Sequence, residues 1–166
     1  SPDYFLNIEP GSPNSQMANI MLGLENLIEK EFNPDLLIVP GDVNSTFAAA
    51  LTANKLGIPL AHLESGLRSN DRAMPEEINR VLTDEISDHY FVTEQSGIDH
   101  LIQEKKCGAV HFVGNTMIDT LVAFDANIDA SEVLRRNKLK NKEFVLMTIH
   151  RPSNVVHISC VIWVKL

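Results

Sequence analysis

The stretch LLIVPGDVNSTFAAALTANKLGIPLAHL, Leu36 to Leu63, decides the fold. It opens with the apolar run LLIVP, continues through the turn GDVNST and an alanine-rich segment from Ser45 to Leu56, and closes with IPLAHL. Short continuous apolar runs are typical of parallel strands that are buried on both faces. The segment between the runs has the periodicity of a helix, and Gly57 supplies its stop. The stretch therefore predicts a strand, a helix and a second strand.

The same alternation extends on both sides of this unit. Upstream, apolar residues at helical spacing between Gln16 and Glu31 predict an amphipathic helix with Ser12 as its N-cap. Alternation of this kind predicts an α/β fold, a three-layer Rossmann-like parallel sheet with helices on both faces. The downstream elements are a loop from Glu64 to Met74, helices from about Pro75 to Ser87, Glu94 to Glu104 and Met117 to Phe124, and strands from His89 to Thr93 and Val110 to Val113.

The pattern changes after Asp125. We expect residues 1–125 to form the Rossmann-like domain and the polar residues 126–143 to form a connector. FVLMTIH, Phe144 to His150, is typical of a fresh strand, so residues 144–166 are expected to begin a second domain. The closing VVHISCVIWVKL has no helix or turn signal.

Composition excludes several classes of protein. Hydrophobic residues make up 44% of the 166 residues and charged ones 22%, and no apolar run approaches the roughly 20 residues of a membrane span, so we expect a soluble protein without a membrane partner. Fourteen basic against 22 acidic residues give a net charge of −8, which argues against nucleic acid. Cys107 and Cys160 are far apart and form no metal-binding motif, and no signal peptide is present, which favours reduced thiols in the cytoplasm.

Polar side chains follow the predicted strands where each strand ends. Asp42 follows the first strand of the opening stretch, Glu64 the second, and Asn115 and His150 two later ones. The carboxyl ends of parallel strands share one edge of a sheet, where ligands bind, so these groups are expected at one edge. Two structural alternatives stay open: Asp42 could cap the following helix, and Glu64 could pair with Arg68.

The segment PEEINR predicts the start of a helix that has an unusually polar face for a helix covering a sheet. Pro75 suits a first turn, Glu76 and Glu77 suit its positive end, and Glu76 and Arg80 are four residues apart. His62 and His111 lie inside strands and are expected to be satisfied core histidines. The predicted buried stripe is Ile78, Val81, Leu82 and Ile86, and the predicted polar face is Glu76, Asn79, Arg80 and Thr83.

Carboxylates and a histidine at one edge suit proton transfer, because two groups in different environments can act as base and acid. Arginines could hold a phosphate or neutralise the same acids. The chain has no nucleophile elbow, Walker loop or GxGxxG motif. These residues alone predict an α/β protein that acts on an anionic metabolite. The arginines are Arg68, Arg72, Arg80 and Arg151.

Six ordered motifs carry a resemblance to a known family. GDVNST, KLGIPLAHLESGLRS, MPEEINR, LTDEISDHYFVTE, HFVGNTMIDTL and TIHRPSN closely resemble, in this order and spacing, the bacterial non-hydrolysing UDP-N-acetylglucosamine 2-epimerases. The similarity runs from about Asp3 to Val155. The resemblance implies the two-domain GT-B architecture, of which this chain would be most of the N-terminal half. It also implies interconversion of UDP-GlcNAc and UDP-ManNAc for surface polysaccharides, by removal of the C2 proton, elimination of UDP and its re-addition.

The resemblance further assigns the site. It implies a UDP-sugar substrate, no metal or other cofactor, and a homodimeric full-length parent. The acids would move protons at C2, and the histidine and its neighbouring arginine would assist the departing UDP. The residues that match the catalytic positions are Asp42, Glu64, Glu76 and His150, and those assigned to substrate binding are Arg68, Arg80, Asn115 and Arg151.

The chain also departs from the family pattern. It lacks the initial strand with GTRPE, and it lacks the second domain that would hold most of the UDP contacts. The resemblance thus implies that residues 1–125 are a domain incomplete at its start and that residues 144–166 begin a truncated second domain with an aberrant C-terminal tail. We therefore expect this chain alone to be inactive. Three alternatives stay open: an epimerase of a modified UDP-sugar, a GT-B glycosyltransferase that uses a UDP-sugar, and a non-catalytic fragment that binds nucleotide sugars.

Overall fold

The computed structural model describes residues 2–140, 144–148 and 161–165. Strands and helices alternate through most of this range, and the chain divides into two units, Ser1–Ile118 and Asp119–Leu166. The elements are α1 (Pro13–Glu31), β1 (Leu37–Pro40), α2 (Asn44–Leu56), β2 (Leu60–Leu63), α3 (Pro75–Glu85), β3 (His89–Val92), α4 (Gln95–Gln103), β4 (Ala109–Phe112), α5 (Thr116–Ala123), α6 (Asp125–Asp129), α7 (Val133–Arg136), β5 (Phe144–Thr148) and β6 (Val161–Lys165).

The first unit is built on a parallel sheet in the order β1-β2-β3-β4. Leu37 lies opposite Leu60, Ala61 opposite His89, and His89 opposite Ala109. Each strand is joined to its neighbour through a helix, as parallel pairing requires. The predicted parallel α/β sheet is confirmed.

The helix ends follow from local sequence. Ser12 caps α1, because its hydroxyl oxygen accepts the backbone N–H of Ser15 at 3.2 Å. Gly57 ends α2 in the left-handed region with φ 68°, and its N–H donates to the carbonyl of Asn54 at 3.3 Å. Both signals were readable in the sequence, and both predicted ends are confirmed.

The apolar core of the first unit consists of two clusters. One joins α1 and α2 to β1 and β2, and the other joins α4 to β3. The small alanines of α2 let that helix lie close to the strands, so the ends of β1 and β2 are fixed by packing on one face. The clusters are Ile28, Val39, Ala50, Ala53, Ile58 and Leu60, and Tyr90, Val92 and Leu101.

In the second unit, β5 and β6 pair antiparallel, with Phe144 opposite Lys165. The strand predicted from Phe144 to His150 is described as far as Thr148, and the polar segment predicted as a connector contains α6 and α7. The domain limits predicted at residues 125 and 143 stay predictions. Across the described ranges, no helix combines the length and the apolar character that crossing a membrane requires.

Candidate active site

The turns after β1 and β2 lie side by side at the carboxyl edge of the sheet. The N–H of Gly41 donates to the carbonyl of Leu63 at 3.0 Å, and the N–H of Glu64 donates to the carbonyl of Phe91 at 3.0 Å. Glu64 has φ 69°, a left-handed conformation that is uncommon for a residue with a side chain. The structure thus brings Asp42 and Glu64 onto neighbouring turns, as the positions of the strands predicted.

Asp42 is held by the polar face of α3. Its carboxylate pairs with the Arg80 guanidinium, and its backbone carbonyl accepts the side-chain N–H of Asn79 at 3.0 Å. The same amide nitrogen donates to the side-chain oxygen of Asn44 at 3.0 Å. The N-cap of α2 is Val43, with no side-chain capping bond. The alternative that Asp42 caps α2 is therefore wrong.

Helix α3 differs from the prediction in the residues that it buries most. Its fully buried residues are polar, whereas Leu82, assigned to the buried stripe, is 40% exposed. Glu77, Asn79 and Asp84 find hydrogen-bond partners on the loops at the sheet edge, which offsets the usual cost of burying them. The predicted apolar stripe is wrong at Leu82, whereas Ile86 packs against the apolar core and the other two members are half-buried. The predicted polar face contributes Asn79 and Thr83 to the buried side. The buried residues of α3 are Glu77, Asn79, Thr83 and Asp84.

Glu77 organises the loop between β2 and α3. Its carboxylate accepts the backbone N–H of Ser69 at 2.9 Å, the Ser69 hydroxyl at 3.0 Å, the backbone N–H of Asn70 at 3.1 Å and the Arg80 guanidinium at 2.9 Å. Burial alone would raise the pKa of this carboxyl, but the bonds from Ser69 and Asn70 and the charge of Arg80 outweigh it and lower the pKa. The sequence placed Glu77 only at the positive end of the helix, so this role was missed.

Glu64 and Glu76 are the carboxylates left open at this edge. Both are half-buried, and neither side chain has a hydrogen-bond or ion-pair partner within residues 2–140. Arg68 pairs with Asp84 and Glu104 instead, so the alternative that an ion pair with Arg68 explains Glu64 is wrong. Two half-buried carboxylates without partners are available for proton transfer.

Arg68 sits in a buried ion cluster. Its guanidinium lies 2.7 Å from the carboxylate of Asp84 and makes two 2.7 Å bonds to Glu104, and its side chain is 3% exposed. Burial would lower the pKa of this guanidinium, but Glu104 and Asp84 raise it above its ordinary value. The hydrogen bond from Arg68 in turn lowers the pKa of the Glu104 carboxyl. A substrate-binding role for Arg68 stays a prediction, and its visible role is structural.

The remaining predicted residues are placed as follows. Asn115 is exposed after β4, and its side-chain oxygen accepts the N–H of Met117 at 2.9 Å. His150 and Arg151 lie outside the described residues. Within the ranges that the structure describes, no three His, Cys, Asp or Glu side chains are arranged to hold a metal ion.

The two predicted core histidines differ. His62 is fully buried with both ring nitrogens bonded, so that prediction is confirmed. His111 is exposed on β4, beside His89 at 3.3 Å between ring nitrogens, and the prediction of a core position is wrong.

A Rossmann-like parallel sheet with carboxylates on its carboxyl edge defines the class of α/β domains that act on small ligands. The sequence profile of the family described as UDP-N-acetylglucosamine 2-epimerase matches residues 1–159. The chain therefore belongs to the UDP-N-acetylglucosamine 2-epimerase family, and the family predicted from its motifs is confirmed.

Individual relatives agree with this assignment. The UDP-N-acetylglucosamine 2-epimerase of Methanococcus maripaludis is 39% identical over 163 residues, which cover 92% of this chain and 43% of that protein. The UDP-2,3-diacetamido-2,3-dideoxy-D-glucuronate 2-epimerase of Pseudomonas aeruginosa is 40% identical over 157 residues, with 92% and 43% covered. The chain thus spans less than half the length of these relatives.

A solved structure confirms the fold class. The Methanocaldococcus jannaschii UDP-GlcNAc 2-epimerase, crystallised with UDP-GlcNAc and UDP, superposes with a TM-score of 0.76 at 40% identity, over 82% of this chain and 38% of that one. The chain is therefore a Rossmann-like part of the GT-B fold, as predicted.

Proposed function

We propose that the complete protein containing this chain is a UDP-N-acetylglucosamine 2-epimerase that interconverts UDP-GlcNAc and UDP-ManNAc. One observation supports this most strongly: Glu64 and Glu76 carry half-buried carboxylates without a partner among residues 2–140, and Glu64 lies on the turn beside that of Asp42, whose carboxylate pairs with Arg80. An epimerase needs proton-transfer groups that are oriented but not already neutralised by an internal cation. The family of the chain supplies the substrate class.

The proposed chemistry balances over two steps. A base removes the C2 proton, the C2–H electron pair forms the C1–C2 double bond, and UDP leaves C1 with the electrons of the C1–O bond, giving 2-acetamidoglucal. In the second step UDP adds back to C1 while an acid delivers a proton to the opposite face of C2. Since the released UDP and one proton are both recovered, neither a redox cofactor nor a second substrate is needed.

The roles of the side chains follow from their surroundings. Glu64 and Glu76 act as the proton-transfer pair, because their carboxylates are open. Asp42 assists from a position fixed by Arg80 and Asn79. Arg80 is better placed than Arg68 to contact a substrate, because its side chain is 15% exposed beside Asp42, whereas that of Arg68 is 3% exposed.

The further assignments rest on the family resemblance alone. His150 assists the departing UDP, Arg151 and Asn115 contact the substrate, and Arg68 completes the binding set. The complete protein acts as a cytoplasmic homodimer without a metal. This chain by itself does not turn over UDP-GlcNAc.

A second substrate is a specific alternative. The Pseudomonas aeruginosa relative named for a diacetamido glucuronate is as similar to this chain as the relatives named for UDP-GlcNAc. Its named substrate has the same 2-acetamido group, so the same proton chemistry at C2 applies. The carboxyl edge described above therefore serves either sugar.

The test uses a chimera in which this chain replaces the matching segment of the Methanococcus maripaludis relative. The chimera and the chain alone are incubated in D2O with UDP-GlcNAc and, separately, with the diacetamido glucuronate, and C2 configuration and deuterium are followed by NMR. We expect inversion with deuterium at C2 of UDP-GlcNAc in the chimera and none with the chain alone. Preference for the glucuronate would favour the second substrate. A folded chimera that binds UDP yet exchanges neither sugar would contradict the proposal.

A further inference from the structure

The side chain of His62 lies between two acceptors. Its Nδ1 is 2.6 Å from the Asp84 carboxylate, and its Nε2 is 2.8 Å from the carbonyl oxygen of Gly41. A carbonyl oxygen only accepts, so Nε2 must carry a proton. The side chain is fully buried, so water cannot take the place of either partner. Whether Nδ1 donates or accepts depends on whether the Asp84 oxygen facing it is ionised.

Asp84 is surrounded by donors. Its second carboxylate oxygen lies 2.7 Å from the Arg68 guanidinium and accepts the backbone N–H of Gly66 at 3.1 Å. Burial would raise the pKa of this carboxyl, but the bond and charge of His62 and the charge of Arg68 outweigh burial and lower the pKa. Asp84 is therefore ionised, and its carboxylate accepts hydrogen bonds from its neighbours, including the backbone N–H of Gly66.

The charged groups of this cluster are paired. Arg68 contacts the carboxylates of Asp84 and Glu104, and the Lys106 ammonium lies 3.5 Å from Glu104. Tyr90 of β3 donates its hydroxyl to the Asp84 backbone carbonyl at 2.9 Å. Burial and the Asp84 charge raise the pKa of Tyr90 to about 12, so it stays neutral. Pairing with hydrogen bonds is the condition under which buried charges are tolerated.

The cluster connects the two turns that carry predicted catalytic acids. Through His62 it holds the carbonyl of Gly41, which is the peptide group joined to Asp42. Through its own carboxylate Asp84 holds the N–H of Gly66, two residues after Glu64. A single carboxylate on α3 thus fixes the turn after β1 and the turn after β2.

We propose that His62 and Asp84, a buried hydrogen-bonded pair, are positioning residues that set Asp42 and Glu64 relative to each other for proton transfer. The catalytic part of this inference rests on the function proposed above. The hold of His62 on Gly41 and of Asp84 on Gly66 does not, because it follows from the geometry of this chain. Neither residue touches the substrate, and both act through the turns.

The first test observes the His62 ring directly in this chain. Nitrogen-15 NMR, assigned with His62→Gln, should show a protonated Nε2 with a slowly exchanging N–H, as its bond to the Gly41 carbonyl requires. An Nε2 without a proton would overturn the hold of His62 on Gly41. Asp84→Asn should also shift the backbone amide signals of Gly41, Asp42 and Gly66. Unchanged amide signals in folded Asp84→Asn would overturn the positioning role, whether or not the epimerase function holds.

The second test measures the consequence for catalysis in the chimera. Because small misplacements of reacting groups can cost about a hundredfold in rate, Asp84→Asn should lower kcat by about ten- to a hundredfold with little change in KM. Glu85→Gln is the matched control, since Glu85 is the next residue, is 65% exposed in its side chain and pairs with Lys106. It should leave kcat unchanged. Equal kcat for folded Asp84→Asn and Glu85→Gln would overturn the catalytic part.

Discussion

Glu76 and Glu77 are adjacent in the first turn of α3, yet their side chains have opposite surroundings. Glu77 is 4% exposed and accepts four hydrogen bonds, whereas Glu76 is half-buried and accepts none from residues 2–140. One residue of difference rotates a side chain by about 100° around a helix, which turns Glu77 toward the loop and leaves Glu76 open. Glu77 thus stabilises the loop, and the Glu76 carboxylate stays available for the proton transfer proposed above.

These different surroundings predict that substitutions of Glu77 and Glu76 have different effects on the free energy of unfolding. Glu77→Gln should lower the free energy of unfolding by about 1–3 kcal/mol, because a buried carboxylate loses charge-assisted hydrogen bonds. Glu76→Gln is the matched control and should change it by less than about 0.5 kcal/mol. Urea unfolding of the full chain followed by circular dichroism measures both. Equal effects would contradict the assignment.

The lowered pKa of Glu77 predicts acid sensitivity. The pKa of Glu77 in the folded protein lies below the ordinary 4.5. Its contribution to stability is therefore complete above about pH 4.5 and is lost as the pH falls toward the pKa of the folded protein. The free energy of unfolding should therefore fall below this pH in the wild type. In Glu77→Gln the fall should be shallower, because of the Glu77, Asp84 and Glu104 carboxyls, whose pKa values are all lowered, only the last two still contribute. Parallel pH profiles for the two proteins would refute this account.

Helix ends and strands were predictable where local signals decide them. The apolar runs before Pro40 and Leu63 predicted β1 and β2, and Ser12 and Gly57 marked helix ends. These features depend on backbone propensities and on neighbours a few residues away. The family motifs likewise pointed to Asp42, Glu64 and Glu76.

The inward polar face of α3 could not be predicted from the sequence. Asp84 is buried because its partners include His62, 22 residues away, and Gly66, 18 residues away. Periodicity ranks residues by their own polarity, and it does not show which polar groups will find donors elsewhere in the fold. The pairing of Arg68 with Glu104, 36 residues away, was missed for the same reason.

The close approach of two glycines predicts a steric effect. A Cβ on Gly66, which has φ 78°, would lie 2.3 Å from the carbonyl oxygen of Gly97. Gly66→Ala should therefore cost about 2–5 kcal/mol, the sum of left-handed strain and overpacking. Gly57→Ala is the control, because Gly57 has φ 68° with nothing within 4 Å of its added Cβ, and should cost only about 1–2 kcal/mol. Urea unfolding giving equal losses would show that the contact does not matter.

A buried hydroxyl on α3 predicts a core substitution that does not lower the free energy of unfolding. Thr83 is fully buried, and its hydroxyl has no hydrogen-bond partner in the described part of the chain. Thr83→Val should leave the free energy of unfolding unchanged or raise it by about 1 kcal/mol, because a desolvated hydroxyl is removed. Thr46 is also buried, but its hydroxyl donates to the carbonyl of Pro40 at 2.7 Å. Thr46→Val should cost about 1 kcal/mol, and the reverse order in thermal or urea unfolding would be inconsistent with the structure.

The central claim is that Glu64 and Glu76 move the C2 proton, and deuterium incorporation at C2 of UDP-GlcNAc tests it most directly. In the chimera described above, Glu64→Gln and Glu76→Gln should each lower the rate of incorporation by at least about a hundredfold while UDP binding is kept, because a general acid or base is removed. Glu77→Gln, if folded, should retain measurable exchange. Wild-type incorporation in either Glu64→Gln or Glu76→Gln would contradict the account.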